Sequence, residues 1–497
     1  MSRRHARNMV VAAVASVAIA SLSGIGQAEA PAAKVGGTPA VAARLVPMAV
    51  APIWTKLSVG AGINVSTGPG VVRWGSKLLV TWKQGPGSVK ARLLDAAARP
   101  VGAVSSVVSG WSEIDADARP FILSGAPAVA FSGNHSLSPT DPYDGPVVYA
   151  RSGTGAAWSL GSGALTQSAT GTGDDGIGAV QVAAGDPVTV YSGGGSRHLA
   201  IHHGIGPGVP AATADVSTPS LGETQFVNVA RDAKSGVVYA AYYSGLSNST
   251  QGIHAIGVYP NISAPSPAAP GSVYTVDGSA TSNVPGQFVA LASRTVGGVW
   301  AAYAAGHGAS SALVLWNVQT HRALVLHRPG LNLQYVNLSP GPGGRLWVSW
   351  VQGSTVLATR TNPAVTAFGV VRALGAPGGS PTRTAGDGVL GPLDEVINVT
   401  NGAAAPAIYS ARILEGLRVS ASPARVSYDL GGTVTVSVTD AGLPVPGVTV
   451  RVGSVLKLTN AAGRATFTVA KHSVKGAHAV SASRTGWWPG ASAFRVA

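Results

Sequence analysis

The clearest candidate for a functional site is a run of acidic residues that alternate along the chain. Glu113, Asp115 and Asp117 are separated by single residues, so in a β-strand their carboxylates would share one face. Three carboxylates on one face repel unless a cation joins them, and Arg119 continues the same alternation. The pattern predicts either a metal site or a solvated acidic loop, and we favour the loop.

A second acidic pair lies in a long polar insertion. Asp141 and Asp144 could hold Ca²⁺ through their oxygen ligands, although a cluster of Asx turns is the reading that we favour. Ca²⁺ is the only cofactor that the sequence suggests. For hydrolysis of a glycosidic bond two facing carboxylates are needed, and Asp141, Asp144 and Glu223 are the candidates.

The composition excludes several classes of protein. The 497 residues include 66 glycines and 33 prolines but no cysteine, which rules out disulfide scaffolds, thiolate metal sites and cysteine nucleophiles. Only 11% of residues are charged, and 34 Lys and Arg stand against 20 Asp and Glu. Scarce acids argue against catalysis. The basic residues form no block, so we expect no nucleic-acid partner and instead an anionic extracellular polymer.

The elements that must position these residues are short strands that repeat. Apolar runs of four to six residues alternate with Gly-rich turns at a period near 50 residues, as in residues 226–259 and 288–316. This repeat predicts an all-β protein built on a β-propeller. Seven blades start near residues 62, 118, 177, 225, 287, 333 and 382. Six blades and an array of β-sandwiches are the alternatives.

The last predicted blade is short by one strand. Residues 53–59 could supply that strand, which would close the ring with strands from both ends of the propeller. We therefore expect the propeller to extend over residues 51–415.

The N-terminus has the pattern of a secretory signal peptide. Three arginines precede an apolar run that is too short for a membrane span, and small residues follow up to Ala28. We expect a signal peptide over residues 1–28, a flexible lead-in over 29–50, and no membrane span in the mature chain. The signal could be of the Sec or the twin-arginine type. The protein is expected to be secreted, extracellular or associated with the cell wall.

The pattern of apolar and polar residues changes at residue 416. Residues 433–440 alternate strictly, residues 446–450 (Pro-Gly-Val-Thr-Val) follow a turn, and Thr459-Asn460 leads through Gly463 into an Ala-Thr-Phe strand. This part resembles the bacterial immunoglobulin-like domains of invasin- and intimin-type adhesins. The resemblance implies a β-sandwich over residues 416–497 that acts as a spacer or adhesive module. Trp487-Trp488 departs from the family, which more often has one aromatic there.

The predicted propeller resembles secreted sialidase-like propellers. Residues 151–158 keep Gly155 and Trp158 of the Asp-box turn but have Gly153 where the box has Asp, and Arg119-Pro120 is similar to the family's first arginine motif. We expect a non-catalytic, monomeric binding or adhesion protein whose ligand is a glycan, a cell-wall polymer or a surface protein. The alternative is a sialidase-like glycoside hydrolase.

Overall fold

The structure is a computed structural model in which β-strands make up almost all regular structure. It describes residues 54–58, 62–63, 68–114, 117–136, 145–151, 157–160, 176–183, 186–192, 198–203, 212–217, 224–244, 253–259, 274–275, 289–305, 312–327, 332–401 and 404–497. One turn of 3₁₀ helix, Pro342–Gly344, is the only helix among these residues. The prediction of an all-β protein is confirmed.

The described strands that precede residue 414 form seven antiparallel sheets, numbered 1 to 7 along the chain. Sheet 1 contains β2 (Gly70–Trp74), β3 (Lys77–Lys83), β4 (Val89–Leu94) and β5 (Pro100–Val108). Sheet 2 contains β6 (Glu113–Ile114), β7 (Arg119–Leu123), β8 (Ala126–Asn134), β9 (Gly145–Arg151) and β10 (Ser159–Leu160). Sheet 3 contains β11 (Ile177–Ala183), β12 (Asp186–Ser192), β13 (His198–His203) and β14 (Ala212–Ser217).

The remaining four of these sheets have the same pattern. Sheet 4 contains β15 (Thr224–Arg231), β16 (Val238–Ser244), β17 (Ile253–Tyr259) and β18 (Tyr274–Thr275). Sheet 5 contains β19 (Ala290–Ser293), β20 (Val299–Ala305), β21 (Ala312–Asn317) and β22 (Ala323–His327). Sheet 6 contains β23 (Gln334–Pro340), β24 (Leu346–Gln352), β25 (Thr355–Arg360) and β26 (Arg372–Gly375). Sheet 7 contains β27 (Ser380–Asp387), β28 (Leu393–Asn401), β29 (Ala404–Ile413) and β1 (Thr55–Lys56).

The inner strands, β2, β7, β11, β15, β19, β23 and β27, pack against one another in that order, and β27 also contacts β2. Six of the seven predicted repeat starts lie within three residues of the first residue of an inner strand. Glycine permits this close approach at Gly70, where a Cβ would overlap Pro120 Cδ and the Ala118 carbonyl oxygen. The arrangement is propeller-like, and no individual sheet closes on itself.

Strand β1 completes sheet 7. Thr55 pairs with Ser410 and Lys56 with Tyr409, so residues near the start and the end of the seven-sheet part lie side by side. The sequence predicted this pairing from the missing strand.

Apolar side chains fill the space between neighbouring sheets. Tyr243 of sheet 4 and Trp316 of sheet 5, for example, belong to one buried cluster, and all six residues of β21 are buried. Strands that are apolar on both faces must be covered on both sides, and the adjoining sheets provide that cover.

The C-terminal residues form two further sheets around one core. Sheet 8 contains β30 (Arg418–Ser422), β32 (Gly432–Asp440), β33 (Leu443–Pro444) and β36 (Arg464–Val469). Sheet 9 contains β31 (Arg425–Val426), β34 (Thr449–Val452), β35 (Val455–Leu458), β37 (Gly476–Ser483) and β38 (Gly490–Val496). Val436 of sheet 8 and Val480 and Phe494 of sheet 9 share a buried cluster, as in a two-sheet sandwich.

A buried ionic cluster connects sheet 6 to the C-terminal sheets. The Arg360 guanidinium donates to Glu415 Oε1 through Nη1 at 2.7 Å and to Asp440 Oδ2 through Nη2 at 2.7 Å. Arg345 Nη1 lies 3.1 Å from the same Asp440 oxygen. The ring of Trp487 lies 5.0 Å from Arg360 Cζ. Two carboxylates and two guanidiniums thus form a mostly buried cluster in which only the Arg345 side chain is partly exposed.

Arg372 makes a second contact of this kind. Its Cζ lies 3.8 Å from the centre of the Trp488 ring, and burial lowers the pKa of Arg372 to about 10. Trp487 and Trp488 are the pair at which the sequence departs from the adhesin family. Each ring therefore makes a cation–π contact with an arginine of the seven-sheet part.

We expect Arg360→Met to destabilise the protein by about 3–5 kcal/mol, because the substitution leaves Glu415 buried without a cation and Asp440 with Arg345 alone. Arg99→Met is the matched control, since Arg99 is 73% exposed and pairs only with Asp95 four residues away; its effect should stay below about 1 kcal/mol. Chemical denaturation followed by tryptophan fluorescence measures both values. Equal losses from the two substitutions would contradict the assignment.

Candidate functional site

The inner strands surround a cavity of about 650 Å³ on the axis of the seven sheets. Each of the seven contributes residues to its wall, and most of these are glycine, alanine, valine, leucine, isoleucine and proline. The polar and charged lining residues are Arg73, Arg119, Gln181, Asn228, Arg231, Ser293, Asn337, Ser339 and Asp387. A concave, mostly apolar space with a few polar groups is typical of a small-ligand site.

Arg73 joins the first and last sheets at the cavity wall. Its Nε donates to Asp387 Oδ1 at 2.7 Å, and its Nη2 donates to Asp394 Oδ2 at 2.6 Å. The two aspartates are cross-strand partners on β27 and β28. Arg73 Nη1 is buried and has no hydrogen-bond partner among the described residues.

The two aspartates differ in access to the cavity. Asp387 lines the cavity, whereas the Asp394 side chain is 1% exposed and lies behind it. Burial raises the pKa of Asp394, and the charge of Asp387 adds to that rise, while Arg73 and Arg412 oppose it. An acid that the solvent does not reach cannot exchange a proton with a ligand in the cavity, so Asp394 serves to hold Arg73.

Among the described residues that line the cavity, Arg231 is the arginine that has no carboxylate partner. Its Nε donates to the carbonyl oxygen of Gly236 at 3.4 Å, and no carboxylate of the described residues lies within ion-pair distance of it. It stands at the end of β15, where the strand leaves the cavity. A guanidinium in this position can receive an anionic group from a ligand.

Two of the sequence-predicted residues, Asp117 and Arg119, are brought together. Asp117 Oδ2 lies 3.6 Å from Arg119 Nη2, and Asp117 Oδ1 accepts the backbone N–H of Gly68 at 3.0 Å. Asp117 is buried rather than solvated, and its burial raises the pKa of the carboxyl, while Arg119, Arg383 and Lys83 oppose the rise. Burial lowers the pKa of Arg119, and Asp117 opposes that change.

Sequence reasoning missed Lys83 and Arg383 as neighbours of Asp117. Lys83 lies on β3 and donates to the carbonyl oxygen of Ile114, and Arg383 lies on β27 with its guanidinium 4.6 Å from the ring of Tyr335. Arg383 comes from sheet 7, more than 260 positions further along the chain than Asp117. Only the closure of the ring places it there, and no local pattern could have indicated it.

The acidic alternation that suggested a metal site is split between two strands. Glu113 is exposed on β6, where it pairs with Asn134, while Arg119 begins β7 and pairs with Ala130. Asp115, Asp141, Asp144 and Glu223 lie outside the described residues. Within the described part, no group of three or more His, Asp or Glu side chains could hold a metal ion. A Ca²⁺ site therefore stays a prediction.

One buried carboxyl lies just behind the cavity wall. Glu395 on β28 is fully buried, and both of its oxygens lie 3.0 Å from Ser349 Oγ on β24 of sheet 6. Gly386, which lines the cavity, leaves room for it, because a Cβ there would come within 2.7 Å of Glu395 Oε2. Burial raises the pKa of Glu395 well above 4.5, and the hydrogen bond with Ser349 only partly offsets this.

Comparison with known proteins yields structural likenesses only. No family model matches the chain, and no curated protein matches it. Among solved structures it is similar to the polysaccharide lyase Uly1, with 9% identity and a TM-score of 0.42 over 72% of this chain and 92% of the lyase.

Two further solved structures have lower scores. An auxiliary nutrient binding protein from Bacteroides thetaiotaomicron is 11% identical, with a TM-score of 0.38 over 72% of this chain and 76% of its own. Trypanosoma rangeli sialidase in complex with the inhibitor DANA is 7% identical, with a TM-score of 0.36 over 71% of this chain and 55% of the sialidase. At these identities and TM-scores no function is transferred to this chain, and the resemblance of residues 416–497 to adhesin domains stays a prediction.

We expect Glu395→Gln to change how stability depends on pH. A carboxyl whose pKa is raised by folding contributes stability that is complete below its unfolded value, here 4.5, and that is lost as pH rises. The variant keeps the hydrogen bond but cannot ionise. Its free energy of unfolding relative to the wild type should therefore increase above that pH by about 1.4 kcal/mol per pH unit, until Glu395 ionises in the folded state.

Denaturation curves at several pH values provide the measurement. Glu113→Gln is the matched control, because Glu113 is exposed on β6, and its difference from the wild type should stay flat. A flat difference for Glu395→Gln as well would show that the neutral carboxyl is not part of the folded state.

Proposed function

We propose that the seven sheets are the blades of a seven-bladed β-propeller and that sheets 8 and 9 form an immunoglobulin-like β-sandwich. The contact of each inner strand with the next, and of β27 with β2, supports the first assignment. The core shared by sheets 8 and 9 supports the second. In this arrangement the axial cavity is the binding site, and the sandwich acts as a spacer for the propeller.

The function proposed for this cavity is the non-catalytic binding of an anionic group of a glycan. Arg231 carries the proposal, since its guanidinium borders the cavity and has no carboxylate partner among the described residues. Arg73 Nη1 and Ser339 Oγ, both buried and without described partners, add polar atoms on other parts of the wall. Apolar lining around these groups suits the faces of sugar rings.

Binding is favoured over catalysis because the acids of the wall are already engaged. Asp387 is the one carboxylate among the described lining residues, and Arg73 holds it at 2.7 Å. Glycoside hydrolysis needs two carboxyl groups that reach opposite sides of the scissile bond. Asp394, the register partner of Asp387, is 1% exposed and pairs with the same arginine.

The second candidate function is a sialidase-like glycoside hydrolase. The observation in its favour is that Arg73 at the cavity wall binds two aspartates: Asp387, which lines the cavity, and Asp394 behind the wall, whose pKa is raised. This function requires a ligand that displaces Arg73 from Asp387 and frees that carboxylate.

We further propose that the protein is exported, acts outside the cell membrane or on the cell wall, and is a monomer. The signal-like residues 1–28 and the absence of any cysteine support export without disulfides. Among the described residues no helix has the length and hydrophobicity that a membrane span requires. The partner proposed for the cavity is an extracellular acidic glycan.

The test compares a carboxylated oligosaccharide with its neutral counterpart. Isothermal titration of the purified protein with an oligogalacturonic acid and with its methyl ester should give binding of the acid only. Arg231→Gln should weaken that binding about 10- to 100-fold, since a hydrogen bond to a charged group contributes about 1.5–3 kcal/mol. Arg99→Gln, an exposed arginine outside the cavity, is the matched control and should bind as the wild type does.

Product analysis of the same mixtures distinguishes the two functions. Intact oligosaccharide after long incubation agrees with a binding protein. Cleavage that Asp387→Asn abolishes would replace the binding proposal by the hydrolase. If the acid and its ester bind equally, or if Arg231→Gln has no effect, the cavity does not recognise anionic groups through this arginine.

A further inference from the structure

Two loops form the end of the C-terminal sandwich that faces away from sheet 6. They are residues 427–431, between β31 and β32, and residues 470–475, between β36 and β37, and together they are called the distal tip. The His472 N–H donates to the Tyr428 carbonyl oxygen at 2.8 Å, and the two rings meet edge to face at 5.1 Å. The two loops thus hold each other in place.

The distal tip exposes two large apolar side chains. Val474 is 78% exposed and Leu430 is 77% exposed, the highest values among the large hydrophobic residues that the structure describes. One lies on each loop, and both side chains are largely exposed to solvent. Side chains at this position have nothing to pack on within the protein, and transfer of apolar surface out of water would favour their insertion elsewhere.

Basic side chains surround this apolar pair. Lys471 and Lys475 lie on the same loop as Val474 and are exposed, and Lys475 Nζ lies 4.2 Å from the centre of the Tyr428 ring. Arg425 and Arg495 are register partners on β31 and β38, next to the tip. Asp429 is the single acidic side chain on the two loops.

The excess of positive charge extends over the whole sandwich. Residues 416–497 contain two acids, of which Asp440 is buried in the cluster with Arg360, so Asp429 is the only exposed one. Their nine basic residues are all exposed: Arg418, Arg425, Arg451, Lys457, Arg464, Lys471, Lys475, Arg484 and Arg495. This small part of the chain therefore presents an almost purely cationic surface, which attracts polyanions.

The tip is free to meet a flat surface. Strand β32 runs from Gly432 beside the tip to Asp440 in the ionic cluster with Arg360 and Arg345. Nine residues of extended strand span about 30 Å, so the seven sheets do not cover the tip. The junction fixes one end of the sandwich and leaves the other end exposed.

We propose that the distal tip binds the surface of a lipid bilayer with anionic headgroups, inserting Leu430 and Val474 while Lys471 and Lys475 contact the lipid phosphates. An anionic polymer in solution would use the lysines but gain nothing from the two apolar side chains. A lipid surface uses both, because its headgroups are charged and the layer beneath them is apolar. Tyr428, with its ring between the loops and its hydroxyl, suits the boundary between these layers.

Vesicle flotation with the purified full chain tests this proposal. Vesicles of phosphatidylcholine with added phosphatidylglycerol should carry the protein, and vesicles of phosphatidylcholine alone should carry much less. Leu430→Ser with Val474→Ser should reduce binding roughly tenfold or more. Lys471→Gln with Lys475→Gln should reduce it about 25-fold, since each basic residue near an anionic surface contributes about fivefold.

Matched double variants elsewhere on the sandwich serve as controls. Leu456→Ser with Leu458→Ser removes two exposed apolar side chains of the edge strand β35, and Arg418→Gln with Arg464→Gln removes two charges from sheet 8. Both should leave vesicle binding within about twofold of the wild type on the expectation that distant surface changes act independently. A Leu430→Trp variant should in addition show a blue-shifted fluorescence spectrum on anionic vesicles.

Three outcomes would overturn the proposal. One is that the protein does not float with anionic vesicles at all. Another is that the double lysine-to-glutamine variant loses vesicle binding while the double variant with serines keeps it, and that the same lysines retain the protein on immobilised polygalacturonate. The tip would then be a site for an anionic polymer. The third is an equal loss in the control variants. None of these results bears on Arg231, so the cavity proposal is tested separately.

Discussion

A sheet that is apolar on both of its faces cannot exist alone in water, and this constraint organises the first seven sheets. Strands such as β21, buried along their whole length, require a neighbour on each side. A row of such sheets would leave two faces uncovered, whereas a ring leaves none. The axial cavity is a consequence of this geometry. It is bordered by the inner strands, and their small residues allow the backbones to approach closely.

The sequence predicted most of this fold and little of the site. Repeated apolar runs and glycine turns are local patterns, so the starts of the inner strands and the pairing of β1 with the last sheet could be worked out. The neighbours of a charged side chain are not local. Asp117 and Arg119 are two residues apart and were recognised together, but Arg383 and the partners of Arg73 come from the far end of the ring.

Buried polar groups follow a common rule in this structure. Arg360 is matched by Glu415 and Asp440, Arg73 by Asp387 and Asp394, and each group connects parts of the chain that lie far apart. A charge taken out of water is tolerated only with a partner, so such pairs specify which sheets lie together. Glu395 follows the other route, since it has no cationic partner and its burial raises the pKa of the carboxyl, which favours the neutral form despite the hydrogen bond from Ser349. Arg231 fits neither pattern, and this is the basis on which we propose a ligand as its partner.

The pairing of Thr55 with Ser410 has a consequence for how the protein is made. Sheet 7 needs a strand from the beginning of the ring and three strands from its end, so a growing chain cannot complete that sheet until nearly the whole seven-sheet part has left the ribosome. Until then Thr55 and Lys56 have no partner strand, and Arg73 cannot form its ion pairs with Asp387 and Asp394. Contacts this distant in sequence form late and slowly. The cavity wall therefore forms only after sheet 7 is complete, and a partly synthesised chain lacks the cavity.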